Sequence, residues 1–258
     1  IYAADVCPNP TSMTVQEAAE VYLRYQQSAW NSPNRNSKYE KDLATYGSLL
    51  EADRQLRSQY DDLTTVLLSR RLSPISDEEW ITPFEIDERL HGGRANVSVT
   101  RSVKYHLREF EYEYVGVTAT TDSAATPHEH IYIWIDDTEN TITESDFKDP
   151  IDKHIKHTEA TPENHREGEA ITVEHDPPLV DAEPERVGRI KEKSVTADGG
   201  SVLPNTQGAQ YLASQLPHLS LAGQFNNADT IDQAQIDGGA IAWATPHKWL
   251  RSSQTLKL

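Results

Sequence analysis

The chain is short of cysteine, methionine and long apolar runs. Cys7 is the one cysteine in 258 residues, beside one methionine and four phenylalanines. A single cysteine excludes an internal disulfide and suits a reducing compartment. No apolar run is long enough to span a bilayer, and no signal peptide is legible, so no membrane partner and a cytoplasmic location are expected. Positive charge is scarce too. Lys plus Arg is 24 against 41 Asp plus Glu, and the net charge is −17. The chain starts at Ile1, not Met, as a piece of a longer protein would.

That acidity has two readings. Like charges repel nucleic acid, which argues for a protein that avoids it. A protein adapted to molar salt keeps an acidic surface hydrated while Coulomb terms are screened within roughly 3 Å. The acids are spread along the chain and not gathered in a tail, which favours salt adaptation, and net charge therefore does not exclude DNA as a partner.

Residues 1–60 read as an N-terminal helical segment and residues 61–258 as the main domain. Val15, Ala18, Ala19, Tyr22 and Leu23 recur at helical spacing after a Thr14–Glu17 capping box. The stretch 31–37 (NSPNRNS) is a loop. Thr64–Ser69 (TTVLLS) is a β-branched, apolar strand. Residues 77–109 contain helix, broken at Gly92–Gly93. Tyr112–Thr120 and His128–Asp137 are strands joined by a short polar loop, an antiparallel hairpin. A helix follows over 143–157 with Thr143 as N-cap, then a strand over 170–176 and a variable polar loop near 177–203. A short helix, Gln207–Leu216, ends at Pro217. This order predicts an α+β domain: a central antiparallel β-sheet with helices on one face, plus extra N-terminal helices.

Strand alternation sorts the hairpin. Ile131, Ile133 and Ile135 share one face; His128, His130, Tyr132, Trp134 and Asp136 share the other. On the neighbouring strand, Val115, Val117 and Ala119 make an apolar face. Tyr112, Tyr114, Gly116, Thr118 and Thr120 make a polar, aromatic one, with Thr118 and Thr120 expected near the histidines. The two imidazoles, about 6.6 Å of strand rise apart, suit one divalent ion. Tyr132, Trp134 and Tyr114 on an open sheet face suit stacking on unpaired bases. Arg70 and Arg71 could contact phosphate. The remaining histidines, among them His154, His157, His165, His175 and His218, are expected to face solvent or lie scattered.

The string TPHEHIYIWID (126–136) resembles the His-hydrophobic-His strand of the HUH endonucleases, the initiators and relaxases that nick single-stranded DNA. It looks most like the rolling-circle initiators of haloarchaeal plasmids and pleomorphic viruses. Thr64–Ser69 looks like the family's first motif. Tyr112–Thr120 resembles the strand before the histidines, Tyr211 in AQYLASQLP the helix bearing the nucleophile, and AIAWATPHKW (240–249) a closing segment. The resemblance implies an RRM-like palm and a divalent ion, Mn2+ or Mg2+, on His128 and His130. It also implies a phosphotyrosine formed by Tyr211 and single-stranded DNA at a replication origin as partner, with host replication machinery as a further one. Glu129 stands where the family has an apolar residue, Ser214 replaces its lysine, and no acid occupies the expected place on the preceding strand. Asp136, Glu174 and Asp122 are the candidate third ligands.

On this reading the chain is a rolling-circle initiator that nicks and religates DNA in a high-salt cytoplasm. The competing expectation is a non-catalytic module that binds single-stranded nucleic acid on the same sheet face.

Overall fold

The computed structural model describes residues 13–31, 38–76, 79–121, 125–158, 165, 170–180, 204–221, 233–256 and 258. Asp122, most of the 31–37 loop and most of the polar stretch 177–203 lie outside these residues.

The protein is α+β. A five-stranded antiparallel sheet has the order β6-β1-β5-β4-β9. Its strands are β1 (Leu63–Arg71), β4 (Tyr112–Thr120), β5 (Pro127–Asp136), β6 (Ile171–His175) and β9 (Leu250–Ser252). Two small hairpins stand beside it, β2 (Ile75–Ser76) with β3 (Glu79–Trp80), and β7 (Leu179–Val180) with β8 (Asn205–Thr206). Seven α-helices lie among the described residues: α1 (Val15–Trp30), α2 (Lys38–Gln59), α3 (Pro83–His91), α4 (Gly93–His106), α5 (Lys148–His157), α6 (Gln207–Ser214) and α7 (Gln233–Ala244).

Local chemistry accounts for most boundaries. Thr14 and Glu17 form the capping box of α1, and Thr82 with Glu85 does the same for α3, where Pro83 supplies the fixed φ of a first helical turn. Gly93 has φ +59°, which any side chain would resist, and so the break between α3 and α4 falls at the glycine pair. Thr143 caps a 3-10 turn, Glu144–Phe147, before α5 begins at Lys148 with Pro150 still in its first turn. The expected single helix over 143–157 is thus two pieces.

The sheet is covered on both faces, which corrects the expectation of helices on one face only. On one face, Val66, Leu68, Ile131, Ile133 and Ile135 pack with Val99, Val103 and Ile151 of α4 and α5. On the other, Tyr132, Trp134, Val115 and Val117 are buried with residues of α1, α2, α6 and α7. The helical segment 1–60 is therefore not an appendage: α1 and α2 supply part of the main core. The physical cause is apolar area. A face carrying Tyr132, Trp134, Val115 and Val117 loses more by staying wet than by taking a layer of helices, at about 25 cal/mol per Å² buried.

The register also reverses the reading of β4. Val117 pairs with His130 and Ala119 with His128, whereas Thr118 pairs with Glu129 and Tyr114 with Ile133. Directly paired residues share a face. The histidines therefore face the small apolar residues of β4, and Thr118 and Tyr114 belong to the isoleucine face. Polarity alone had assigned them to the wrong side.

Candidate active site at the histidine end of the sheet

At the start of β5, on the same face as Tyr132 and Trp134, stand His128 and His130. Their rings are 4.8 Å apart, centre to centre, and perpendicular. His130 is buried and His128 half-buried. Helix α6 brings in Tyr211. Its hydroxyl lies 3.0 Å from His130 Nε2, across 81 residues of sequence, and its ring centre 5.1 Å from that of His130. Tyr211 remains 36% exposed.

The second nitrogen of His130 is held as well. Ser69 Oγ, from the end of β1, lies 3.0 Å from His130 Nδ1, because Ser69 and His130 are register partners. A neutral imidazole has one N–H and one lone pair. With the phenol of Tyr211 donating to Nε2, Nδ1–H donates to Ser69. Burial pushes His130 down to about 3, helped by the nearby charge of His128, so the ring is neutral at physiological pH.

A cavity of about 470 Å³ opens beside the pair, lined by Ser69, Arg71, Thr126, Pro127, His128 and His130 among others. Arg71 pairs with His128 in register and so leaves the same face. Its backbone oxygen is bonded by His154 Nε2 at 3.1 Å, and the His154 ring packs 5.3 Å from that of His165. His154 is thus a buried structural residue and not a solvent-facing one. His218 is buried too, with Nδ1 2.8 Å from the Tyr22 hydroxyl.

Several expected site residues go elsewhere. Arg70 is fully buried on the opposite face, paired with Glu129 and donating to Leu90 O at 2.8 Å. It is no phosphate contact: strand alternation turns it away from Arg71. Glu129, the residue out of keeping between the histidines, is paired with Arg70 and Arg251. Tyr132 and Trp134 are 1% and 0% exposed and cannot stack on bases. Tyr132 Oη donates to Thr206 Oγ1 at 3.0 Å, and Trp134 Nε1 to Asp53 Oδ1 at 2.8 Å. Tyr114 packs against the isoleucine core.

Of the third-ligand candidates, Asp136 and Glu174 do not join the histidines, and Asp122 lies outside the described residues. Asp136 sits at the far end of β5, paired with Leu63, six positions from His130 or about 20 Å along the strand. Glu174 pairs with Thr65, itself opposite Trp134. Among the described residues no three His, Cys, Asp or Glu side chains cluster as a metal cage. His130 turns Nε2 to Tyr211 and Nδ1 to Ser69, with the His128 ring beside it on the cavity wall.

Sequence reading overlooked three residues of this region. Ser69 closes the quoted TTVLLS strand, and antiparallel pairing with the histidine strand would have placed it beside His130. Asp53, buried in α2, accepts from Trp134 Nε1, Asn205 Nδ2, Thr206 N and Thr206 Oγ1 at 2.7–3.0 Å. Through Thr206, the N-cap of α6, it ties the tyrosine helix to the sheet; no local pattern announces that role. Gly208, one turn before Tyr211, lies on the ring of Tyr132.

Comparison with protein-family models, curated proteins and solved structures finds no match.

Proposed function

We propose that this protein nicks and religates single-stranded DNA through a phosphotyrosine at Tyr211, as an HUH-type initiator of rolling-circle replication does. The observation that carries the reading is the 3.0 Å approach of the Tyr211 hydroxyl to Nε2 of His130, a residue that also lines the cavity. The two histidines of β5 and the tyrosine of α6, all three named by the same resemblance, lie together at one end of the sheet.

In the reaction, Tyr211 Oη attacks the phosphorus of the scissile phosphodiester. The Oη–P bond forms, the P–O3′ bond breaks, and the proton given up by the phenol is balanced by one taken up at the departing 3′-oxygen. The ester bond energy is kept in the phosphotyrosine, so a 3′-hydroxyl can reverse the step. A free phenol holds its proton up to a pKa near 10; with His130 Nδ1–H engaged by Ser69 and Nε2 given to an ion, the proton passes to solvent water. His128 and His130 would hold a divalent ion, which would withdraw charge from the phosphate. The His130 Nε2 that Tyr211 Oη approaches at 3.0 Å is also the nitrogen that would face a bound ion. Ser69 keeps the imidazole aimed at that point, and Arg71 supplies a cation on the cavity wall.

The non-catalytic alternative drew its support from Tyr132 and Trp134 as stacking surfaces, and both are buried under helices. The acidic composition supports a working medium of molar salt, with the cytoplasm of a halophilic archaeon, or of a host of its plasmids and viruses, as its setting.

The test is incubation with a randomised pool of single-stranded DNA, labelled at the 3′ end, with Mn2+ in molar KCl. Labelled protein surviving denaturation is expected for the wild type and none for Tyr211→Phe. Cleavage without any adduct would point to a hydrolase releasing its product directly. Binding without cleavage would point to a binding module.

A further inference from the structure

We infer that Trp80, on the β2–β3 hairpin beside the cavity, is a stacking platform for an unpaired DNA base. The inference rests on single-stranded DNA being the molecule that enters the cavity.

Trp80 is 75% exposed, an extreme value for a tryptophan on a strand. Trp134, Trp243 and Trp249 are by contrast at most 5% exposed. Its cross-strand partner is Ile75, 43% exposed, and the two make an apolar pair open to solvent. The hairpin is not loosely attached. Ile81, the residue after Trp80, packs on Leu72, Ile86 and Leu90, and its N–H donates to Pro74 O at 2.9 Å.

Position connects this pair to the site. Leu72 and Pro74 line the cavity with Arg71 and His128. Ile75 follows Pro74 in the chain, and Trp80 lies directly across the ladder from Ile75. On this inference, a strand of DNA whose phosphate rests by His128 and Arg71 would run past Pro74 and Ile75 to the Trp80 ring.

The choice of a base as occupant follows from charge. With a net charge of −17 and Glu79 next to Trp80, the protein gains little from counterion release on phosphates. Base–aromatic stacking does not depend on charge, tolerates any base, and persists at high salt. It is the contact an acidic protein has left for holding single strands. The buried Tyr132 and Trp134 cannot provide it; Trp80 can.

The experiment measures equilibrium binding of fluorescein-labelled oligo-dT by anisotropy, and tryptophan quenching on binding unlabelled oligo-dT, in the full chain. Wild type, Trp80→Ala, Trp80→Phe and Tyr211→Phe are compared, with thermal unfolding of each. Trp80→Ala is expected to bind about tenfold or more weakly at unchanged Tm and to lose the quenching, while Trp80→Phe regains most affinity. Quenching by oligo-dT with no Tyr211 adduct in any condition would keep the Trp80 platform and overturn the nicking reaction. Adduct formation with oligo-dT affinity equal in wild type and Trp80→Ala would overturn the platform and keep the reaction. A Trp80→Ala variant that changes self-association but not oligo-dT binding would also overturn it, assigning the tryptophan to a protein interface.

Discussion

A Cβ on Gly208 would stand 2.3 Å from Cε2 of Tyr132. Helix α6 therefore rests on that ring only because residue 208 has no side chain. Gly to Ala within a helix ordinarily stabilises by about 0.5–1 kcal/mol. Here the sign should reverse. Gly208→Ala is expected to lower Tm, to displace Tyr211 from His130, and to reduce adduct formation at least tenfold. Tyr132→Leu in the same chain should recover part of both. A Gly208→Ala protein with raised Tm would show that the contact does not exist.

Ser69 and His130 make a second testable pair. Removing the Ser69 hydroxyl leaves His130 Nδ1 without its 3.0 Å partner. Outer partners of this kind change metal affinity by roughly 10–100-fold. Ser69→Ala should weaken Mn2+ binding, measured calorimetrically, within that range while leaving unfolding within about 1 kcal/mol of wild type. Unchanged Mn2+ affinity would remove Ser69 from the site.

The buried Glu129 carboxylate is flanked by Arg70 and Arg251. Burial pushes each guanidinium down to about 10, so both cations sit in surroundings that penalise charge. Glu129→Ala would strand them, at a cost of about 3–5 kcal/mol. Urea unfolding should show this loss. Glu129→Leu combined with Arg70→Met should recover a large part, since a packed apolar pair has no charge to desolvate. Equal instability of the single and double variants would contradict that account.

Asp42 and His218 give opposite pH dependences. Burial raises Asp42 to about 7, against the lowering effect of the hydrogen bond from the His218 N–H. An acid whose folded pKa is raised contributes stability below its unfolded value, near 3.9, and loses it as pH rises through about 7. Burial lowers His218 and His154 to about 3 and His91 to about 2. Neutral histidines of this kind contribute stability above about 6.5, which drains away as pH falls toward 3. Asp42→Asn should therefore stabilise the protein more at pH 8 than at pH 5, as read by Tm. His154→Gln should flatten the acid side of the same curve. A gain from Asp42→Asn that is larger at pH 5 would overturn the assignment.

Much was legible because it is written in neighbouring residues. The capping box at Thr14, the glycine break at 92–93 and the strand character of 112–120 and 128–137 follow from side-chain chemistry a few positions apart. So does the shared face of His128 and His130, since alternation is a property of any extended chain. Helix α2 carries no strong apolar stripe, and α7 is apolar on all sides. Neither pattern says which surface the helix will cover.

The sequence by itself thus determined the longer strands and most helices, the histidine pair and the residue types available for chemistry, because each depends on local geometry. Only the tertiary structure decided that Tyr132 and Trp134 are buried anchors, that Arg70 serves Glu129, and that Tyr211 meets His130. Those outcomes depend on strand register and on which helices cover which face, and both are set by contacts between residues far apart in the chain.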